Sequence, residues 1–227
     1  FEDADMDVAV RALVASKVRN AGQACVATNR VLVQAGVHDE FSQRVAAALS
    51  AERVGHGLDE GVTMGPLINV AGLDKFHTHI DDALSRGGSL RFGGPEHEPV
   101  ASLRADGAPF AAPTLIEGSG PGMRCWDEET FAPLVALTQF GTEEEALELA
   151  NDSNVGLAGY FCTRDMRRAW RFAEALEVGM IGVNEGIIST EVAPFGGIKE
   201  SGLGREGHQV GIEEYVELKY VCMGDMR

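Results

Sequence analysis

The feature that most constrains this chain is the regular exchange of two apolar patterns. Short apolar runs of strand character alternate with longer segments whose apolar residues recur every three or four positions. Asp5 is placed to cap a first helix carrying Val8, Ala12, Ala15 and Val18. A strand follows at Arg30–Gln34, then a helix from Asp39 to Ala51 with Phe41, Val45, Ala48 and Leu49 on one face. A Gly-rich loop covers Gly55 to Gly65, and Leu73, Phe76, Ile80 and Leu84 mark a helix from Leu73 to Leu84. After Arg86-Gly87-Gly88 the pattern gives a short strand, a loop and a turn marked by Pro95, Pro99, Pro109 and Pro113. Leu134–Phe140 reads as a strand, and Thr142 with Glu145 opens a helix to Ala150 as a capping box. Leu157–Cys162 is a strand, Asp165–Leu176 a helix and Met180–Val183 a short buried strand. Such alternation predicts an α/β fold: an open, twisted, largely parallel sheet with helices on both faces. The end departs from it, turning Gly-rich after Pro194 and finishing in an extended tail, Tyr215–Met223, expected to join a sheet edge or another subunit.

Composition narrows the function. Lys and Arg number 19 against 35 Asp and Glu, a formal charge of −16, which argues against a nucleic-acid partner. Hydrophobic residues make up 44%, enough for a core, and no apolar run reaches the length of a membrane span. Cys25, Cys125, Cys162 and Cys222 form no CxxC pair, so neither a zinc site nor a disulfide framework is expected. The start, Phe1-Glu2-Asp3-Ala4-Asp5, has no signal-peptide pattern, so the cytoplasm is the expected compartment. Phe1 in place of Met suggests a piece of a longer protein.

Several motifs are bland on physical grounds. Gly202-Leu203-Gly204-Arg205-Glu206-Gly207 is formally GxGxxG, yet no strand precedes it and no second βαβ unit has room to follow, so it reads as turn glycines. His77 and His79, two apart on a helix, face different ways, and no metal site is expected. Glu143-Glu144-Glu145 suits a helix N-terminus, and the sequon Asn151-Asp152-Ser153 has no secretion signal to give it meaning. Cys25 is sharper. It lies in a loop of small residues, six positions after Arg19, and a thiol nucleophile needs open approach and a nearby cation to favour its thiolate. The other three cysteines read as small apolar residues, Cys162 and Cys222 in strand patterns.

Asn20-Ala21-Gly22-Gln23-Ala24-Cys25 resembles the active-cysteine motif of the aldehyde dehydrogenase superfamily. Further segments agree in order: Met64-Gly65-Pro66-Leu67, Glu128 to Pro133, Asn151 with Gly156-Leu157-Ala158, and Pro194 to Lys199 with Ser201 to Glu206. Val183 to Ser189 and Tyr215 to Cys222 resemble the branch that oxidises succinate semialdehyde. The resemblance implies that Cys25 is the nucleophile and that Arg19 and Ser189 hold a substrate carboxylate, a task suited to a guanidinium fork and a hydroxyl. It implies that Glu129 binds the nicotinamide ribose of NAD or NADP, that Phe131 packs by the nicotinamide, and that Glu206 belongs to a water relay in deacylation. Arg205 and Glu217 would shape a subunit contact. Ala27 stands where several relatives carry a second, redox-regulating cysteine.

On this resemblance residues 1–190 are a cysteine-bearing catalytic domain and residues 191–227 a tail reaching toward the cofactor and oligomerisation regions. The NAD(P)-binding domain, the general-base glutamate and the oxyanion-hole asparagine would lie ahead of Phe1. The expected protein is then a homo-oligomer, dimer or tetramer, acting on a small-molecule aldehyde, with this chain alone inactive. Two alternatives stand beside it: a dehydrogenase for another aldehyde, and a truncated, non-catalytic assembly module pairing through its terminal strand.

Overall fold

The computed structural model describes residues 1–104 and 107–227. Asp5 caps helix α1 (Met6–Val18), its carboxylate accepting from the N–H groups of Asp7 and Val8. Strand β1 (Val31–Gln34) leads to α2 (His38–Ser50), and α3 spans Val70–Ser85. That helix starts three residues before the first periodic apolar position, because Asn69 caps it through the N–H of Gly72. Strand β2 (Ser89–Phe92), the single-turn α4 (Val100–Leu103), β3 (Thr114–Glu117) and the single-turn α5 (Arg124–Asp127) precede β4 (Leu134–Phe140). Then come α6 (Glu143–Asn151), β5 (Val155–Gly156), β6 (Ala158–Phe161), α7 (Met166–Ala175), β7 (Met180–Val183) and β8 (Ile198–Lys199).

The result is α/β with mostly parallel pairing. One sheet has the order β1-β4-β3-β2, with β1 and β3 parallel to β4, and β2 antiparallel at its edge. Strand β4 is central and buried along its length except at Gln139, which explains its nearly unbroken apolar run. Against this sheet α2 and α3 deliver Val45, Leu49, Phe76 and Ile80, all at most 1% exposed. The parallel pair β6–β7, joined through α7, is a separate sheet among the described residues. A smaller aromatic cluster sits with it, in which Phe1 meets Phe172 and Phe140 edge to face at 5.1 and 5.5 Å.

Strand β3 is where the pattern misled. The prolines before it suggested only loop and turn, yet Thr114–Glu117 is an interior strand, with Pro113 lying just outside the ladder where its missing N–H costs nothing. The tail also differs. Gln209–Tyr215 forms 3-10 turns, and residues 216–227 lie exposed with no sheet partner among the described residues. Cys222, expected as a buried strand residue, is exposed for that reason. Chain contact is restored just before the tail: β8 pairs antiparallel with β5, and Phe195 and Glu206 exchange backbone hydrogen bonds at 2.8 and 2.7 Å.

Candidate active site

The Cys25 loop is a strained turn held from several sides. Asn20 and Ala21 have φ of 52° and 55°, and Gly22 follows at 74°, so three successive residues are left-handed. Gly22 is required there twice over, since a Cβ would also lie 2.3 Å from the carbonyl oxygen of Ala132. The side chains of Asn20 and Gln23 donate to each other's backbone carbonyls at 3.0 Å, and Gln23 Oε1 accepts from the N–H of Ile68 at 2.8 Å. A turn closed by Ala27 N–H to Ala24 O (2.9 Å) then presents Cys25 to solvent. The Cys25 N–H donates to no group among the described residues.

Cys25 lines a largely apolar cavity of about 590 Å³, shared with Glu129, Tyr160 and Ser201. Tyr160, on β6, donates its hydroxyl to the carbonyl of Val26 at 2.9 Å, tying β6 to the residue after the thiol. Burial pushes its phenol up to about 12, a charged Cys25 nearby adding to the rise and Arg19 opposing it. Arg19, Cys25 and Tyr160 therefore share one electrostatic neighbourhood. Cys125, by contrast, is buried, and that burial pushes its thiol up to about 11; burial also raises Cys162.

The other expected site residues divide. Glu129 is exposed at the cavity and Phe131 is 40% exposed with φ of 52°, one on each side of buried Thr130. Arg19 is exposed at the end of α1. Ser189 is exposed in a loop that docks on the same helix, where a Cβ on Gly186 would lie 1.9 Å from the carbonyl oxygen of Ala12. Neither Arg19, Ser189, Phe131 nor Glu206 lines the cavity with Cys25. Glu206 is exposed beside its backbone bridge to Phe195. The glycines 202, 204 and 207 all have positive φ and precede only 3-10 turns, as turn glycines should. Arg205 donates to the carbonyls of Gly197 and Gly204, within its own loop.

Three residues outside the expected set organise this site. Asn29 donates to the carbonyls of Cys125 and Glu128 and accepts from the N–H of Thr130, so it fastens the Cys25 loop to the segment bearing Glu129. His79, 0% exposed on α3, reaches Thr130 Oγ1 at 3.0 Å through Nδ1, while its Nε2 lies 3.4 Å from Glu128 without hydrogen-bond geometry. Burial lowers its pKa against the pull of Glu128. Lys17, 1% exposed on α1, is pulled down to about 8 by burial, with the Glu129 charge resisting. Beside them Arg30 donates to the carbonyls of Trp126 and Asp152 and lies 4.5 Å above the Trp126 ring. The hydrogen-bond partners of Asn29 and His79 are 51 to 101 residues away in sequence, so no local pattern could announce them.

Residues 1–221 match the aldehyde dehydrogenase family, and the chain belongs to it. Within that family it is 50% identical over 226 residues to the mitochondrial succinate-semialdehyde dehydrogenase of Arabidopsis thaliana, covering 100% of this chain and 42% of the relative. The crystal structure of succinate-semialdehyde dehydrogenase from Burkholderia pseudomallei superposes with a TM-score of 0.93 at 52% identity, over 98% of this chain and 45% of that one. Betaine aldehyde dehydrogenase from Staphylococcus aureus, solved with NAD+, gives 0.88 at 36% identity, over 95% of this chain and 42% of that one. The chain thus spans less than half the length of these relatives.

Proposed function

We propose that this chain is the cysteine-bearing part of an enzyme that oxidises succinate semialdehyde to succinate with NAD or NADP, residues 1–190 forming the catalytic portion and 191–227 the tail. The observation that carries the reading is the exposed thiol of Cys25 on a strained, multiply fastened turn, opening on a cavity it shares with Glu129. The Cys25 thiolate attacks the aldehyde carbon, forming a C–S bond, and the free N–H of Cys25 meets the oxygen that becomes negative. After oxidation the acyl group is a thioester on Cys25, released by water. A nicotinamide cofactor, when bound, supplies the hydride acceptor. The residues present suit one, since an exposed carboxylate can accept from ribose hydroxyls and the exposed Phe131 ring offers an apolar face. Arg19 and Ser189, reached from α1 and from the loop docked on it, orient the distal carboxylate. Glu206 belongs to the water path.

The base that activates water, the second oxyanion donor and the dinucleotide domain are assigned to the longer polypeptide, as is assembly into a dimer or tetramer. Four unpaired cysteines fit a reducing, cytoplasmic setting, and no described helix is long and apolar enough to cross a membrane. Neither a nucleic acid nor a membrane is a partner in this reading. The test replaces Arg19 by Met in the longer polypeptide. We expect kcat/KM for succinate semialdehyde to fall about a hundredfold, as for loss of a charge-assisted pair, with a neutral aldehyde little changed. An equal loss for both would refute the carboxylate role. Robust NAD-dependent oxidation by residues 1–227 alone would refute the division of labour.

A further inference from the structure

Strand β6 sends its side chains to two faces with different work. Phe161 packs edge to face on Phe172 of α7 at 5.3 Å, and a Cβ on Gly159 would meet Leu176 at the end of the same helix. Alternation along the strand therefore turns Tyr160 away from α7. It faces the thiol turn, where its hydroxyl donates to the carbonyl of Val26, the residue after Cys25, at 2.9 Å.

The ring has a second neighbour. Across the parallel β6–β7 ladder Tyr160 stands opposite Gly182. A Cβ on Gly182 would lie 2.7 Å from Tyr160 Cδ1, 2.7 Å from the carbonyl oxygen of Glu185 and 3.0 Å from Ile188 Cγ2. Gly182 has no positive φ, so close approach and not backbone conformation is what requires a glycine there. The Tyr160 ring and the Ile188 side chain thus converge on one point, and Ser189 is the next residue. The loop that carries Ser189 is itself braced. Glu185 accepts from the N–H groups of Gly186 and Ile187 at 2.8 and 3.0 Å, and Gly186 sits against the Ala12 carbonyl of α1. One rigid aromatic side chain therefore spans from the turn of the nucleophile to the loop of the hydroxyl.

We propose that Tyr160 is a positioning residue that fixes the spacing between the Cys25 thiol and Ser189, and with it the length of the carboxylated aldehyde that reaches both. The proposal rests on the assignment of Ser189 to the substrate carboxylate. An aldehyde acid must bring its carbonyl carbon to the thiol and its carboxylate to Ser189 at once. With both ends held, one methylene too many misplaces one of them, which is worth about 10–200-fold in kcat/KM. A neutral aldehyde has no second anchor, so the same spacing sets no length for it.

The test compares kcat/KM for succinate semialdehyde and its five-carbon homologue, and for butanal and pentanal, in the longer polypeptide. Tyr160→Ala is expected to narrow the four- to five-carbon ratio of the acids by about tenfold, leaving the ratio of the neutral pair unchanged. Tyr160→Phe keeps the ring, loses the tie to Val26 and should narrow the acid ratio by a smaller factor; it decides the matter if the Ala variant does not fold. A Tyr160 that only supports the fold would lower all four rates and leave both ratios in place, which overturns the proposal. Ser189→Ala, run alongside, separates this failure from that of the underlying assignment. If it costs succinate semialdehyde no more than butanal, the carboxylate assignment has failed, and amide hydrogen exchange then judges the spacing. Exchange about tenfold faster at both 24–27 and 187–190 in either Tyr160 variant supports a ring that joins them, and a change at one segment or neither overturns it.

Discussion

The first 140 residues and the last 30 are built on opposite terms. In the first, α2 and α3 press Val45, Leu49, Phe76 and Ile80 onto a sheet whose central strand has six of its seven residues buried. In the last, Tyr215, Leu218, Tyr220 and Met223 are 73–102% exposed, and nothing from 216 onward enters a ladder. The lesson concerns where stability resides: the first region satisfies its own apolar residues, whereas the second carries apolar residues that its own chain does not cover.

The sharpest way to break this contrast is Phe76→Ala, expected to cost about 3–5 kcal/mol in denaturant unfolding because it empties a site with 0% exposure. Next is Lys17→Met. Folded Lys17 titrates at about 8 against an ordinary 10.5. Below pH 8 both states hold the proton and the burial penalty is fully present. Between 8 and 10.5 only the unfolded chain binds it, so stability rises with pH by about 3 kcal/mol across that window. The Met variant, measured against the parent chain from pH 7 to 10, should be the more stable at pH 7 and lose that rise. Asn29→Ala, which leaves the N–H of Thr130 and two carbonyls unmatched, should cost about 1–3 kcal/mol. Leu218→Ala should change unfolding by less than about 0.5 kcal/mol. A larger cost at Leu218 would mean that the tail packs in solution.

The comparison also explains what could be read in advance. The helices and parallel strands were visible wherever an element had a burial face of its own, as in Phe41, Val45 and Leu49 or Leu73, Phe76 and Ile80. Asp5 and Thr142 were visible as caps because their partners lie two or three residues on. Strand β3 was not, since four residues beside a proline-rich loop carry too little pattern and are defined by β4. At the site, Cys25 stood out through its local run of small residues, while Asn29, His79 and Tyr160 did not. Each works by reaching a segment distant in sequence, and long-range pairing leaves no local signature. The tail failed for the complementary reason: its alternating apolar residues describe a strand, but a strand is made by a neighbour.

The stacking of Arg30 on Trp126 has an optical consequence. The chain holds two tryptophans, and Trp126 is 3% exposed beneath a guanidinium, whereas Trp170 is 66% exposed on α7. Trp170 is largely in water already, so a red shift in intrinsic fluorescence on opening is expected to come mostly from Trp126. That indole adjoins the segment Asn29 fastens to the thiol loop, which makes the unlabelled protein its own reporter of whether that junction is closed.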